Sequence, residues 1–191
     1  ICELIRKDLI EEFIIYVKKT NYPLKTTIKT SFFETNSLLL KNDPTLIEYS
    51  AFFGSVQVFK YLYLNGIELT SSLWLFAVHG QNDEIINLLQ ENKIEPDDKS
   101  YLEIFKESIK CHHNDFTYFI EKNFLNDNFE LIFDENVFDY CFHYYNYKFL
   151  PMNLDHKYVF YYICQYGFLN LVRFYLNTKE INLNETIVIT Y

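Results

Sequence analysis

The chain has 191 residues, room for one ordinary domain or for roughly six repeats of the length typical of helical-hairpin arrays. Apolar residues make up 49% and charged residues 23%, the balance of a soluble folded protein and not of a disordered one. The net charge is −9, Arg6 and Arg173 are the only arginines and there is no basic run, which disfavours nucleic acid and anionic membrane as direct partners and suits a protein partner with a basic surface.

Residues 3–19 predict one amphipathic helix, because Leu4, Ile5, Leu9, Phe13, Ile14 and Val17 recur at helical spacing with acids opposite. Residues 20–31 form a polar, Thr-rich connection. The stretch 1–31 therefore reads as an N-terminal helix and linker ahead of a repeat array over 32–191. A short helix is expected over 32–40. Asp43-Pro44 predicts the start of the next, since Asp caps free N–H groups and Pro tolerates the first helical position. That helix runs over 45–53 and stops at Gly54, where positive φ carries no Cβ clash. Its partner spans 56–64. Further hairpins are expected at 71–79 with 83–92, the latter capped by Asn82 or Asp83, and at 98–112 with 115–123. A fourth starts at Asp134, its second helix cut short by Pro151, and a fifth covers 155–166 with 168–177. Strand patterning is weak except over 186–190.

One pattern recurs through these hairpins: a small residue, two variable residues, then Gly. It occurs as Ala51-Phe52-Phe53-Gly54, Ala77-Val78-His79-Gly80 and Cys164-Gln165-Tyr166-Gly167, and takes in three of the four glycines. Ser108-Ile109-Lys110-Cys111 replaces it in the third hairpin, and Tyr140-Cys141-Phe142-His143 parallels Phe76-Ala77-Val78-His79 in the fourth. A small side chain at Ala51, Ala77, Ser108, Cys141 and Cys164 lets each first helix lie close to its partner and to the next repeat. Cys141 and Cys164 are accordingly expected to be buried and inert. The pattern predicts an all-α solenoid of about five stacked antiparallel hairpins.

Thr45-Leu46-Ile47-Glu48-Tyr49-Ser50-Ala51-Phe52-Phe53-Gly54-Ser55, followed by Val58-Phe59-Lys60-Tyr61-Leu62, resembles the ankyrin repeat. Phe33 to Asn36, Leu46 to Tyr49, Phe53 to Ser55, Ser72 to Leu75 and His79 to Asn82 are similar to an ankyrin-like domain of unknown function that is expanded in parasitic protozoa. The closer resemblance covers about residues 11–95, and the repeat resemblance continues to about 184. It implies an ankyrin-like solenoid that binds protein. Leu46 and Glu48 stand where the family carries Pro and His, which puts the usual loop geometry in question.

Few constellations suit chemistry. Phosphate-cradling loops need glycines a few residues apart, and Gly54 and Gly66 are the closest pair. Cys111, His112, His113 and Asp115 are the densest set of metal-ligand residues. Adjacent helical positions diverge by about 100° and a helix break separates Cys111 from Asp115, so the set reads as a polar turn and no metal or cofactor is expected. No spacing ties a cysteine to His143 or His156 as nucleophile and base. Asp97-Asp98 and Glu11-Glu12 read as helix-start or solvated charges.

The variable positions of the repeated unit line the concave face of ankyrin-like stacks. The first members, notably Phe52, Ile109 and Phe142, are expected to pack between repeats. The second members are Phe53, His79, Lys110, His143 and Tyr166, an exposed row that suits either partner recognition or plain solvation. The expected function is a non-catalytic protein–protein interaction scaffold or adaptor, with a structural or self-associating module as the alternative. The sparse cysteines, free of Cys-x-x-Cys pairs, fit a reducing, intracellular, cytoplasmic setting, and a monomer is expected. No apolar run approaches the ~18–20 residues of a membrane helix. No signal peptide is visible, and the opening on Ile1 fits an excerpt of a longer protein, with the last repeat cut short.

Overall fold

The computed structural model describes residues 1–29, 31, 34–96, 101–125, 135–150 and 156–178, which form twelve α-helices and one 3-10 turn with no strand. They fall into two compact units, Ile1–Phe124 and Leu125–Tyr191. No helix among the described residues is long and apolar enough to cross a membrane. The patterned stretch at 186–190 lies outside the described residues.

The expected helix over 3–19 is two helices, α1 (Cys2–Arg6) and α2 (Ile10–Thr20). The break falls at Asp8, which adopts φ 51°. Asp tolerates this left-handed conformation better than most residues, and the kink gives its carboxylate a task. Its two oxygens accept the Gln57 and Val58 backbone N–H groups, each at 3.0 Å. These are free donors at the start of α5 (Val56–Leu64). Ser55, the residue placed to cap them, instead donates its hydroxyl to the Ile5 carbonyl. The N-terminal segment and the first hairpin are thus locked by exchanged polar contacts over fully buried Ile5 and Phe13. The Thr-rich connection is also held: Ile28 N–H donates to the Pro44 carbonyl at 2.7 Å, and Thr27 pairs with Thr45 in an isolated antiparallel bridge.

After the short α3 (Ser37–Lys41), α4 (Leu46–Phe52) starts behind Thr45 and not at Asp43-Pro44. Thr45 and Glu48 form a reciprocal capping box, which satisfies donors at both ends of the first turn. Glu48 also accepts the Ser72 hydroxyl at 2.6 Å. The remaining helices of this unit are α6 (Leu73–Gly80), α7 (Asp83–Glu91, capped by Asn82), α8 (Leu102–Lys110) and α9 (Asn114–Phe124). They pack as pairs, α4 with α5, α6 with α7 and α8 with α9. Successive pairs stack, α4 on α6 on α8 and α5 on α7, while α1 and α2 cover α4 and α5. In α6 Leu73, Trp74, Phe76, Ala77 and Val78 are all buried, as expected of a helix enclosed on most sides. Trp74 satisfies its indole N–H on the Ile94 carbonyl at 2.7 Å.

The second unit holds α10 (Glu135–His143), the 3-10 turn Tyr147–Phe149, α11 (His156–Gln165) and α12 (Leu169–Thr178). Its core is Phe142, Tyr162 and Ile163, with the Phe142 and Tyr162 rings stacked at 5.4 Å.

The ends of the first helices correct the repeat register. The left-handed residue that closes each is Gly54, Gln81, His112, Tyr145 or Gly167. In four of the five turns the next N–H reaches back to a carbonyl five residues earlier: Ser55 to Ser50, His113 to Ser108, Asn146 to Cys141 and Phe168 to Ile163. That is the Schellman closure. The equivalent inward positions are therefore Ser50, Ala77, Ser108, Cys141 and Ile163, each at most 1% exposed. Cys164, expected to be buried, is exposed, although its equivalents one residue past the inward position, Ala51, Val78, Ile109 and Phe142, are all buried. Aligning the copies on Gly misleads because Gly80 is the last residue of α6 and not its left-handed terminator. Gly80 has a different cause: a Cβ there would lie 2.0 Å from the Ala51 carbonyl oxygen. Its glycine lets α6 touch the backbone of α4.

Candidate functional site

Three of the five expected recognition residues, Phe53, His79 and Lys110, line one open groove of about 550 Å³ in the first unit. Phe52, Cys111 and His113 line it as well. In the corrected register Phe52, His79 and Lys110 are equivalent, two residues before each left-handed turn residue, and Phe53 sits one position later. The stacking follows the corrected register. Phe52 and His79 lie ring on ring at 4.5 Å with 22° between planes. Phe53 packs edge-on against Phe52 and lies under the Arg6 guanidinium, 5.1 Å from its ring centre. Arg6 is itself held by the Tyr49 hydroxyl at 2.6 Å. Burial pushes the Tyr49 phenol above its ordinary value, against the opposing charge of Arg6.

His79 is not the exposed side chain that the sequence predicts, for its side chain keeps only 10% exposure. Its Nε2 lies 3.0 Å from Glu107 Oε1. Glu107 in turn accepts Lys110 Nζ at 2.9 Å on both carboxylate oxygens. Lys110 also reaches the Ser37 hydroxyl at 3.2 Å, which ties α8 to α3. Burial raises the Glu107 carboxyl, but the bonds from His79 and Lys110 outweigh it and hold the group below its ordinary value. Glu107 and Cys111 stand one helical turn apart on the same face of α8. Cys111 Sγ lies 3.6 Å from His79 Nδ1 and 3.8 Å from Nε2. Burial, and then the Glu107 charge, push the Cys111 thiol up to about 12. His113 donates its Nδ1–H to the Val78 carbonyl at 2.7 Å, and burial lowers its proton affinity.

Of Cys111, His112, His113 and Asp115, the cluster read from the sequence as a polar turn, only Cys111 and His113 reach this groove. His112 is the exposed, left-handed turn residue, and Asp115 is exposed on α9. Glu107 is the residue that sequence reasoning passed over. The signal was there in the i, i+4 spacing of Glu107 and Cys111 within one helix, but His79 enters only through the stacking of α6 on α8.

The other two candidates, His143 and Tyr166, meet in the second unit. Their rings lie edge-on at 5.8 Å, His143 is exposed, and the Tyr166 hydroxyl donates to Asp139 Oδ1 at 2.5 Å. Burial and this carboxylate both raise the Tyr166 phenol. Among the first members of the variable pairs, Val78, Ile109 and Phe142 are buried as packing residues, while Gln165 is exposed. Comparison of the chain with protein-family models, with curated proteins and with solved structures finds no match.

Proposed function

We propose that this chain is a non-catalytic protein–protein interaction scaffold or adaptor of the ankyrin-repeat type. The observation that supports it most is the groove, to which successive stacked hairpins contribute Phe53, His79 and Lys110. Aromatic faces beside a cation suit recognition of protein surface. The net charge of −9 favours a partner with a basic surface. The Thr45–Glu48 capping box is tied to Ser72 at the start of the next hairpin, a polar link between successive hairpins. A catalytic role for Cys111 and His79 runs against the charges around them. A thiol raised to about 12 beside a carboxylate stays protonated at neutral pH, whereas a nucleophilic cysteine needs its pKa lowered.

The test is a photo-cross-linking side chain placed at Phe53 and, separately, at Leu64, which is 80% exposed at the end of α5. A partner captured from position 53 and not from 64, with capture weakened by salt, is the expected result. Equal capture from both positions would refute a partner face at the groove. A self-associating module is the second reading. Leu169, Leu171, Phe174 and Leu176 on α12 are each at least 44% exposed, which favours it. Sedimentation equilibrium decides: a dimer abolished by Phe174→Asp supports self-association, and a concentration-independent monomer removes it.

A further inference from the structure

We infer that His79, Glu107 and Cys111 form a binding site for one divalent cation of the zinc class, joining α6 to α8 at the wall of the groove. This goes beyond the scaffold reading and does not depend on it. The three residues offer an imidazole, a carboxylate and a thiol whose ligand atoms all lie within 4.8 Å of one another. Taken pairwise, His79 Nε2 is 3.0 Å from Glu107 Oε1 and 3.8 Å from Cys111 Sγ, and Sγ is 4.0 Å from Oε1. In a tetrahedral zinc site, donor atoms at their usual bond lengths stand roughly 3.3–3.6 Å apart. A point equidistant from the three atoms in their plane lies about 2.1 Å from each, which is the length of a zinc bond to nitrogen or oxygen and slightly short of one to sulfur. The donor separations therefore need to change by only a few tenths of an ångström.

The surroundings fit a cation. Stacking on Phe52 fixes the plane of the His79 ring, the orienting work that outer residues perform at metal centres. Glu107 already carries a positive group, the Lys110 ammonium on both its oxygens. The Lys110 side chain is 25% exposed, so it can leave toward solvent when a metal takes its place. On binding, the Cys111 thiol gives its proton to solvent, and thiolate plus carboxylate then neutralise the divalent charge. Thiolate and imidazole together select zinc-like ions over magnesium or calcium. His79 and Cys111 line the groove, which supplies an entry path and leaves a fourth position to water.

Cobalt(II) titration of the full chain tests this, with zinc as competitor. One equivalent of cobalt should produce tetrahedral visible bands and a thiolate charge-transfer band, both displaced by zinc. Cys111→Ser should abolish the charge-transfer band, while Cys164→Ser leaves it intact. His79→Asn should weaken binding at least about tenfold. Lys110→Ala, which removes the competing ammonium, should tighten it. Trp74 fluorescence shows that each variant is folded. Absence of a thiolate band in the folded wild-type chain would overturn the site, and so would a band that survives Cys111→Ser.

Discussion

Gly80→Ala puts the stacking of hairpins to a direct test, because local and tertiary effects have opposite signs. Gly80 closes α6, and alanine in a helix is favoured over glycine by up to about 1 kcal/mol. An isolated α6 would gain from the change. In the stack, the new Cβ would lie 2.0 Å from the Ala51 carbonyl oxygen, 2.7 Å from Gly54 N and 2.9 Å from Gly54 Cα. All three are backbone atoms, so no rotamer change relieves the contact. α6 must retreat from α4 by about an ångström, which loosens a tightly packed seam. Overpacking of that kind costs ~1–3 kcal/mol, which exceeds the helical gain. At a urea dependence of about 1–3 kcal/mol/M, the midpoint should fall by roughly 1 M. Trp74, the only tryptophan, is buried within α6 and reports this unit directly. Gly66→Ala is the control. Gly66, unlike Gly80, has positive φ, and a Cβ there meets nothing within 4 Å, so it shows what conformational strain costs without collision. A midpoint for Gly80→Ala at or above that of the wild-type chain would refute the close approach of α4 and α6.

Asp8→Ala should cost ~1–2 kcal/mol by stripping the cap from α5, whereas Asp8→Asn, which keeps the acceptor and tolerates the left-handed turn, should come close to wild type in the same denaturation assay. Their burial predicts that Cys141→Leu destabilises by ~1–3 kcal/mol and that exposed Cys164→Leu stays within about ±0.5 kcal/mol, although the two look alike in sequence. The Glu107 carboxyl titrates below its ordinary 4.5 in the folded chain. Its contribution to stability is therefore fully present above the unfolded value and lost as pH falls through the folded one. Acid unfolding of wild type followed by Trp74 fluorescence should contain a component in that window, missing from Glu107→Gln.

Helical periodicity and several caps were legible where the determinant was local, although Asp43-Pro44 predicts a start for α4 that lies instead at the Thr45–Glu48 capping box. Asn82, Gly54 and Gly167 end or start helices as their neighbours in sequence require. Contacts made across the fold were not legible. Nothing near Asp8 announces that its carboxylate will cap a helix some fifty residues on, and so the break between α1 and α2 was missed. The repeat register slipped for a related reason. Glycine serves two ends here, a left-handed turn at Gly54 and Gly167 and a helix contact at Gly80, and in sequence these are the same letter. The groove residues were found by position along the pattern, but the pairing of His79 with Glu107 and Cys111 exists only once α6 lies on α8.

The turns between paired helices have one further consequence. Gln81, His112 and Tyr145 occupy left-handed positions that glycine would fill without strain, and all three are exposed. Each accepts on the order of 1 kcal/mol of backbone strain and in return projects a side chain from the tip of a tight turn. Such tips can change identity with little effect on the core, so the chain carries ready-made diversification points. Randomising those three positions would alter what the surface displays while the hairpin frameworks behind them stay the same.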